Sequence, residues 1–223
     1  MIEAALGGTS YQRVHERLRG DILAGRIAQG ERLKISDLAR RYGLSHMPVR
    51  EALQQLQGEG LVELLPNRGA SVRRMDARFV RDIFDIRAAL ESFLAARAAD
   101  EITPIQLAEL ERIEAAYQGA AARGDLAERV ALNQLFHRTI SIVSGNVEAV
   151  RLLDLHAGLV GALRVRFGYA EGRTEEIRRE HAALLDALAR HDGAAAAAIH
   201  AEHVRHARDD LLPRLDPLAA MAQ

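Results

Sequence analysis

Residues 38–72 decide the fold and read LARRYGLSHMPVREALQQLQGEGLVELLPNRGASV. Apolar residues recur at helical spacing on both sides of Gly43, which predicts two short helices joined at that glycine. We expect the first helix over 36–42, with serine and aspartate at its start to cap it. The second should begin at Ser45, a favourable N-cap residue, and tolerate Pro48 in its first turn. This spacing indicates a helix-turn-helix.

A β-hairpin is expected directly after the second helix. Residues 61–65 are predicted to form one strand and residues 70–72 its return partner. Arg68 would then lie at the tip of the hairpin, where a cation can reach the minor groove of DNA or its phosphates. Together with the two helices, the hairpin predicts a winged helix-turn-helix.

The second helix of this motif has two unlike faces. Its apolar face is expected to pack inward and carries Val49, Ala52, Leu53 and Leu56. The opposite face carries residue types that bind phosphates and base edges, namely His46, Arg50, Gln54 and Gln57. The sequence therefore predicts double-stranded DNA as a partner.

Segments 45–53, 60–62 and 66–69 resemble the DNA-binding domain of GntR-family bacterial regulators. The resemblance extends over roughly residues 10–74 and implies a set of DNA-binding residues: Ser45, His46, Met47, Arg50, Gln54, Arg68 and Gly69. His46 stands where the family usually has arginine, and Met47 where threonine is common. The docking mode is therefore more transferable than the base preference.

Composition agrees with a DNA-binding protein that does not enter a membrane. Residues 1–75 hold 12 Lys and Arg against 8 Asp and Glu, whereas the remaining residues hold 18 against 23. The net positive charge thus lies in the part with the helix-turn-helix. The sequence has no cysteine, which excludes disulfides and thiolate metal sites, and no membrane-length apolar run or signal peptide. We expect a cytoplasmic protein.

The rest of the chain predicts a bundle of six or seven helices, so the fold class is mainly α. Helical segments near 77–99, 104–122, 125–143, 147–167, 173–190 and 194–211 are separated by proline and glycine. The expected organisation is a flexible N-terminus (1–9), a winged helix-turn-helix domain (10–74), a linker (75–78), a helical effector-binding and dimerisation domain (79–215) and a tail (216–223).

Histidines on three predicted helices indicate a metal site. Asn133 and His137 are four residues apart and share a helix face, and His181 lies on a later helix. The last helix carries His200, His203 and His206, of which only one need point inward. Three imidazoles and one oxygen suit a divalent metal such as zinc, nickel or manganese. A metal-free pocket in which the imidazoles bind a carboxylate is the alternative.

A second resemblance concerns segments 85–91, 136–137, 144–146 and 180–181 together with His203, which are similar to the FCD ligand-binding domain of the FadR subfamily. It extends over roughly residues 78–212 and implies that Asn133, His137, His181 and His203 bind a metal, which in turn holds a small carboxylate. Asn133 replaces the commoner aspartate and removes one negative charge, which should weaken metal binding.

These features predict a ligand-responsive repressor. Arg87 and Arg164, or Arg166, could pair with the carboxylate of a small organic acid effector. We expect a homodimer on an inverted-repeat operator, because twofold symmetry in the protein is mirrored in the DNA. Two alternatives stay open: a histidine-ligated metal enzyme and a sensor of the metal itself. Common catalytic motifs are absent from the sequence, so we expect no enzyme.

Overall fold

The computed structural model describes residues 10–66 and 68–215. The chain divides into two compact units, Met1–Met75 and Asp76–Gln223. The flexible N-terminus predicted over 1–9 and the tail predicted over 216–223 lie outside the described residues, as does Asn67.

The first unit is the predicted winged helix-turn-helix. Its elements are α1 (Ser10–Leu23), β1 (Arg32–Leu33), α2 (Ile35–Tyr42), α3 (His46–Gly58), β2 (Val62–Leu65) and β3 (Gly69–Val72). The strands form an antiparallel sheet in the order β1-β3-β2, in which Val62 pairs with Val72 and Arg32 with Ser71. β1 was not predicted, because two residues are too few to show an alternating pattern.

The turn between α2 and α3 forms as predicted, but the helix caps differ. Gly43 has φ +65°, and its N–H closes the last turn of α2. α2 begins at Ile35, one residue earlier than expected, so Ser36 lies inside its first turn and Lys34 is the N-cap residue. Ser45 occupies the N-cap position of α3, but its side chain makes no capping hydrogen bond within the described residues. The tight turn and side-chain packing therefore hold these helices.

The second unit is helical throughout the residues that the structure describes. Its six helices are α4 (Ala77–Glu101), α5 (Pro104–Ala122), α6 (Leu126–Val143), α7 (Val147–Phe167), α8 (Arg173–Ala189) and α9 (Gly193–Leu215). α4 begins inside the predicted linker 75–78, because Asp76 accepts a hydrogen bond from the Phe79 N–H and caps the helix. Thr103 and Gln106 form a capping box at the start of α5.

The core of the second unit lies where α4, α5, α6, α8 and α9 meet. α4 packs along α9, α5 along α6, and α8 along α9. Fully buried apolar side chains fill the space between these helices, including Leu110, Phe136, Ile140 and Leu184. No helix among the described residues is long and apolar enough to cross a membrane. This packing brings the inward faces of α6, α8 and α9 together.

Candidate functional site

A basic groove of about 610 Å³ lies between α3 and the hairpin of the first unit. Its lining includes Arg32, Lys34, Arg50, Gln54, Arg68 and Gly69. Four of the seven predicted DNA-binding residues therefore share one concave surface, and two further cations extend it. Guanidinium and ammonium groups on a concave surface suit the phosphates and base edges of duplex DNA.

α3 presents its polar face to solvent because its apolar face is buried in the first unit. Val49, Leu53 and Leu56 are buried, while His46, Arg50, Gln54 and Gln57 are exposed. Ser45, His46 and Met47 are also exposed, at the N-terminal end of α3, but they do not line the groove. The N-terminal end of α3 is thus exposed to solvent, and its contact with DNA stays a prediction.

Gly69 has a structural reason to be glycine in addition to its predicted contact with DNA. Its φ is +90°, and a Cβ atom there would overlap the carbonyl oxygen of Leu33 and lie 3.3 Å from Lys34 Cα. The absence of a side chain lets β3 approach β1 closely. Arg32 in β1 donates two hydrogen bonds of 3.3 Å to the Arg68 carbonyl, so the two arginines stay adjacent. The sequence pattern missed Arg32 and Lys34 because β1 was not recognised.

The second unit brings together three of the predicted metal ligands. His137 on α6, His181 on α8 and His203 on α9 are all buried, and one ligand atom from each lies within 4.8 Å of the other two. Their ring centroids are 4.5–5.1 Å apart. Three imidazoles converging from three helices can share one metal ion.

Carboxylates orient two of these rings. His181 Nδ1 lies 2.5 Å from Glu114 Oε2, and His203 Nδ1 lies 2.7 Å from Glu180 Oε2. Each carboxylate favours the tautomer with the proton on Nδ1, which leaves Nε2 with a free lone pair. Arg173 donates to both oxygens of Glu180, at 2.8 and 2.9 Å, and fixes that carboxylate. A carboxylate behind each imidazole is the usual outer shell of a histidine-ligated metal.

The imidazoles of His137 and His203 are neutral at physiological pH. Burial, followed by the neighbouring rings of His203 and His200, holds the pKa of His137 well below its usual value. Burial also lowers the pKa of His203 to about 3, despite the opposing effect of Glu180. Because metal ligation requires an unprotonated nitrogen, both rings are ready to bind a cation without losing a proton.

Several polar atoms near the cluster lack partners in the described part of the chain. These are both ring nitrogens of His137, Nε2 of His181 and Oδ1 of Asn133, all of them buried. Leaving a buried polar atom unsatisfied costs about 1–3 kcal/mol, so several in one place are typical of a binding site for an ion or a polar ligand. Asn133, one turn before His137, therefore fits as the oxygen ligand. A divalent metal is compatible with this donor set.

A cavity of about 300 Å³ adjoins the cluster, and both predicted effector-binding arginines line it together with Asn133, His137 and His203. Each arginine already has a carboxylate partner. Arg87 Nε lies 2.7 Å from Glu91 Oε1, while the buried Arg164 pairs with Asp210 and donates to the Ala207 carbonyl. These contacts favour a structural role for Arg164 between α7 and α9. Its role in effector binding stays a prediction, as does that of Arg87.

Three further side chains near the cavity were not predicted as functional. Glu91 and His200 are buried beside His137. Arg129 is half-buried, stacks 3.9 Å from the centroid of the Tyr169 ring, and has two nitrogens without a hydrogen-bond partner among the described residues. Arg129 lies four residues before Asn133, so its position on the same helix face was the available signal.

Two family profiles match this chain, one in each unit. The sequence profile of bacterial regulatory proteins of the gntR family matches residues 10–72, and that of the FCD domain matches residues 82–206. The transcriptional repressor GlaR of Escherichia coli is 31% identical over 84% of this chain and 89% of its own length. The repressor RspR of the same organism is 29% identical over 87% of this chain and 85% of its own.

A solved structure shares the fold along nearly the whole chain. The structure titled "E. coli McbR/YncC" has a TM-score of 0.73 and 25% identity, and it covers 94% of this chain and 100% of its own. These relatives are transcriptional regulators and not enzymes. The chain belongs to the GntR family of bacterial regulatory proteins and is a DNA-binding transcriptional regulator with a C-terminal FCD domain.

Proposed function

We propose that this regulator is a repressor whose affinity for its operator is controlled by a small organic acid, bound beside a divalent metal in the helical unit. The metal ligands would be Asn133, His137, His181 and His203. The proposal extends the FCD assignment to the FadR subfamily. Residues 10–74 would bind DNA, and residues 79–215 would bind the effector and form the dimer.

The histidine cluster carries this proposal. Its three imidazoles are buried, and Glu114 and Glu180 hold two of them with Nε2 free. Zinc, nickel and manganese all accept imidazole and amide oxygen as ligands. A bound divalent cation supplies a Lewis-acidic centre that attracts a carboxylate oxygen.

The adjoining cavity supports an organic acid as the effector. Its volume of about 300 Å³ lies at the lower end of the range for small-molecule sites. Arg87 lies on its wall, and a carboxylate entering the cavity can share that guanidinium with Glu91. An acid of a few carbon atoms fits this volume and charge.

Exposed apolar side chains support a homodimer. Ile86 and Phe93 are seven residues apart on α4 and are 52% and 48% exposed. Leu135, Ile142, Leu152 and Leu155 are also exposed, on α6 and α7. A contiguous apolar surface is typical of a protein interface, and Ile86 and Phe93 share one face of α4. A twofold dimer would offer two grooves to an inverted-repeat operator.

Control of DNA binding follows from differential affinity. An effector can change operator affinity only when it binds one arrangement of the protein more tightly than the other. A tenfold change in DNA affinity requires about 1.4 kcal/mol of coupling free energy. One interaction of an acid with a metal and a guanidinium is sufficient for this magnitude.

The test measures metal content and DNA binding together. Elemental analysis should find near one zinc, nickel or manganese ion per chain in the wild type and none in His137→Ala. His46→Ala is the matched control, because His46 is exposed in the other unit and should leave the metal content unchanged.

DNA binding is then measured by fluorescence anisotropy, with duplexes selected from a random pool by the wild-type protein. Acetate, succinate and citrate are the probes for the effector. We expect at least one to change the affinity of the wild type tenfold or more, and none to affect His137→Ala. A response to the metal alone would instead assign a metal sensor. No metal in the wild type and no response to any acid would refute the proposal.

A further inference from the structure

A second group of buried ligand atoms lies next to the histidine cluster. Glu91 on α4, His137 on α6 and His200 on α9 each offer one atom within 4.8 Å of the other two. The ring centroids of His137 and His200 are 4.8 Å apart and the rings are nearly stacked. All three side chains are buried, and His200 is completely inaccessible to solvent.

The polar atoms of this group are unsatisfied. Glu91 Oε2 and both ring nitrogens of His137 and His200 have no hydrogen-bond partner within the described residues. His200 Nε2 lies 3.0 Å from Glu91 Oε2, but the approach is not that of a hydrogen bond. The His200 and Glu91 contact compensates this burial only in part, and a cation between the carboxylate oxygen and the two imidazoles would satisfy all three groups.

The other oxygen of Glu91 is held in place. Arg87 Nε donates to Oε1 at 2.7 Å, which fixes the carboxylate while Oε2 faces His200. The Arg87 guanidinium beside it stabilises the charged form of this buried carboxylate. Ligating carboxylates in proteins are commonly supported by such an outer hydrogen bond.

We propose that Glu91, His137 and His200 form a second position for a divalent metal ion, beside the position at His137, His181 and His203. Two imidazoles and a carboxylate suit first-row divalent metals. Because His137 belongs to both groups and a neutral imidazole offers one lone pair, a single ion exchanges between the two positions and contacts His200 in one of them. Glu91 supplies the negative charge that Asn133 lacks. The second position does not depend on the acid effector of the proposed function.

The two positions make a specific prediction for histidine variants. His181→Gln with His203→Gln removes two ligands of the first position and leaves the second complete. Adding His200→Gln to that pair removes a ligand from the second position as well. Cobalt(II) titration, followed by its visible absorption, measures binding in each protein. We expect near one cobalt per chain in the wild type and the double variant, and at least 100-fold weaker binding in the triple variant.

The outcomes separate the second position from the first. Cobalt bound by the wild type and lost in the double variant would overturn the second position and leave the proposed function intact. No cobalt bound by the wild type would overturn both. Far-UV circular dichroism and thermal unfolding without metal establish that the variants fold.

A measurement on the unaltered chain covers the case in which a variant does not fold. The ring nitrogens of histidine are followed by ¹⁵N NMR while zinc is added to the wild type. Shifts of the His200 nitrogens together with those of His137 support the second position. Shifts confined to His137, His181 and His203 overturn it.

Discussion

Replacing Gly69 by alanine should lower the stability of the winged helix-turn-helix far more than the same change at Gly43. Both glycines have positive φ, +90° and +65°, and alanine in the left-handed region costs about 1–2 kcal/mol. At Gly43 nothing lies within 4 Å of the added Cβ, so that cost is the whole effect. Gly43→Ala is therefore a matched control for backbone strain.

At Gly69 the added methyl group also meets backbone that cannot rotate away. It would overlap the Leu33 carbonyl oxygen and lie 3.2 Å from the carbonyl carbon, so β1 and β3 must separate. Separation breaks the pairings of Arg32 with Ser71 and Leu33 with Ala70. Each lost backbone hydrogen bond costs about 0.5–1.5 kcal/mol. The lost hydrogen bonds add about 2 kcal/mol to the backbone cost, so the total is about 3–4 kcal/mol, against about 1–2 kcal/mol for Gly43→Ala.

Hydrogen exchange of the α3 amides in the full-length protein measures this difference, because these amides exchange when the first unit opens. A gap of about 2 kcal/mol corresponds to about 30-fold faster exchange in Gly69→Ala than in Gly43→Ala. DNA affinity should fall in parallel, since Arg32 and Arg68 lose their fixed spacing. Equal exchange rates in the two variants would refute the argument that the Leu33 backbone excludes a side chain.

Three further results are expected. Arg50→Ala should weaken binding to duplex DNA and lower the slope of log affinity against log salt by about one. Arg112→Ala, at an exposed position on α5, should change neither. Glu114→Gln should weaken zinc affinity about tenfold, because His181 loses the carboxylate that orients its ring. Isothermal titration calorimetry measures the affinity, and Glu109→Gln on the same helix is the control. Arg129→Met should raise the free energy of unfolding of the metal-free protein by about 1 kcal/mol, and with it the Tm, because it removes buried nitrogens without hydrogen-bond partners. A lower Tm would show that the stacking of Arg129 on Tyr169 contributes more than those nitrogens cost.

The first unit could be predicted almost completely from sequence because its signals are local. The apolar positions of α3 are spaced by three and four residues. Gly43 indicates the turn because glycine adopts a positive φ without strain. β1 could not be predicted, since its existence depends on Ser71 and Ala70, which lie about 40 residues later in the chain. A strand of two residues that pairs with a distant segment has no recognisable pattern in its own sequence.

The histidine cluster was predictable only in part. The residue pattern singled out His137 and His181, the family resemblance selected His203 on the last helix, and the structure brings all three together. Glu91 was not predicted as a ligand and His200 was not selected on the last helix, because their proximity depends on how α4 packs along α9. A carboxylate and an imidazole more than 100 residues apart become neighbours through helix packing, which sequence periodicity does not specify.

The buried pair of Arg164 and Asp210 has a practical consequence for anyone preparing the helical unit alone. The family match ends at residue 206, yet Asp210, which also accepts from the Ala170 N–H at 2.9 Å, lies beyond it. A fragment cut at that boundary would leave the Arg164 guanidinium buried without its carboxylate. Removing one partner of a buried pair costs about 3–5 kcal/mol, a large part of the stability of a domain. An expressible fragment should therefore extend through the last described turn of α9, at Leu215.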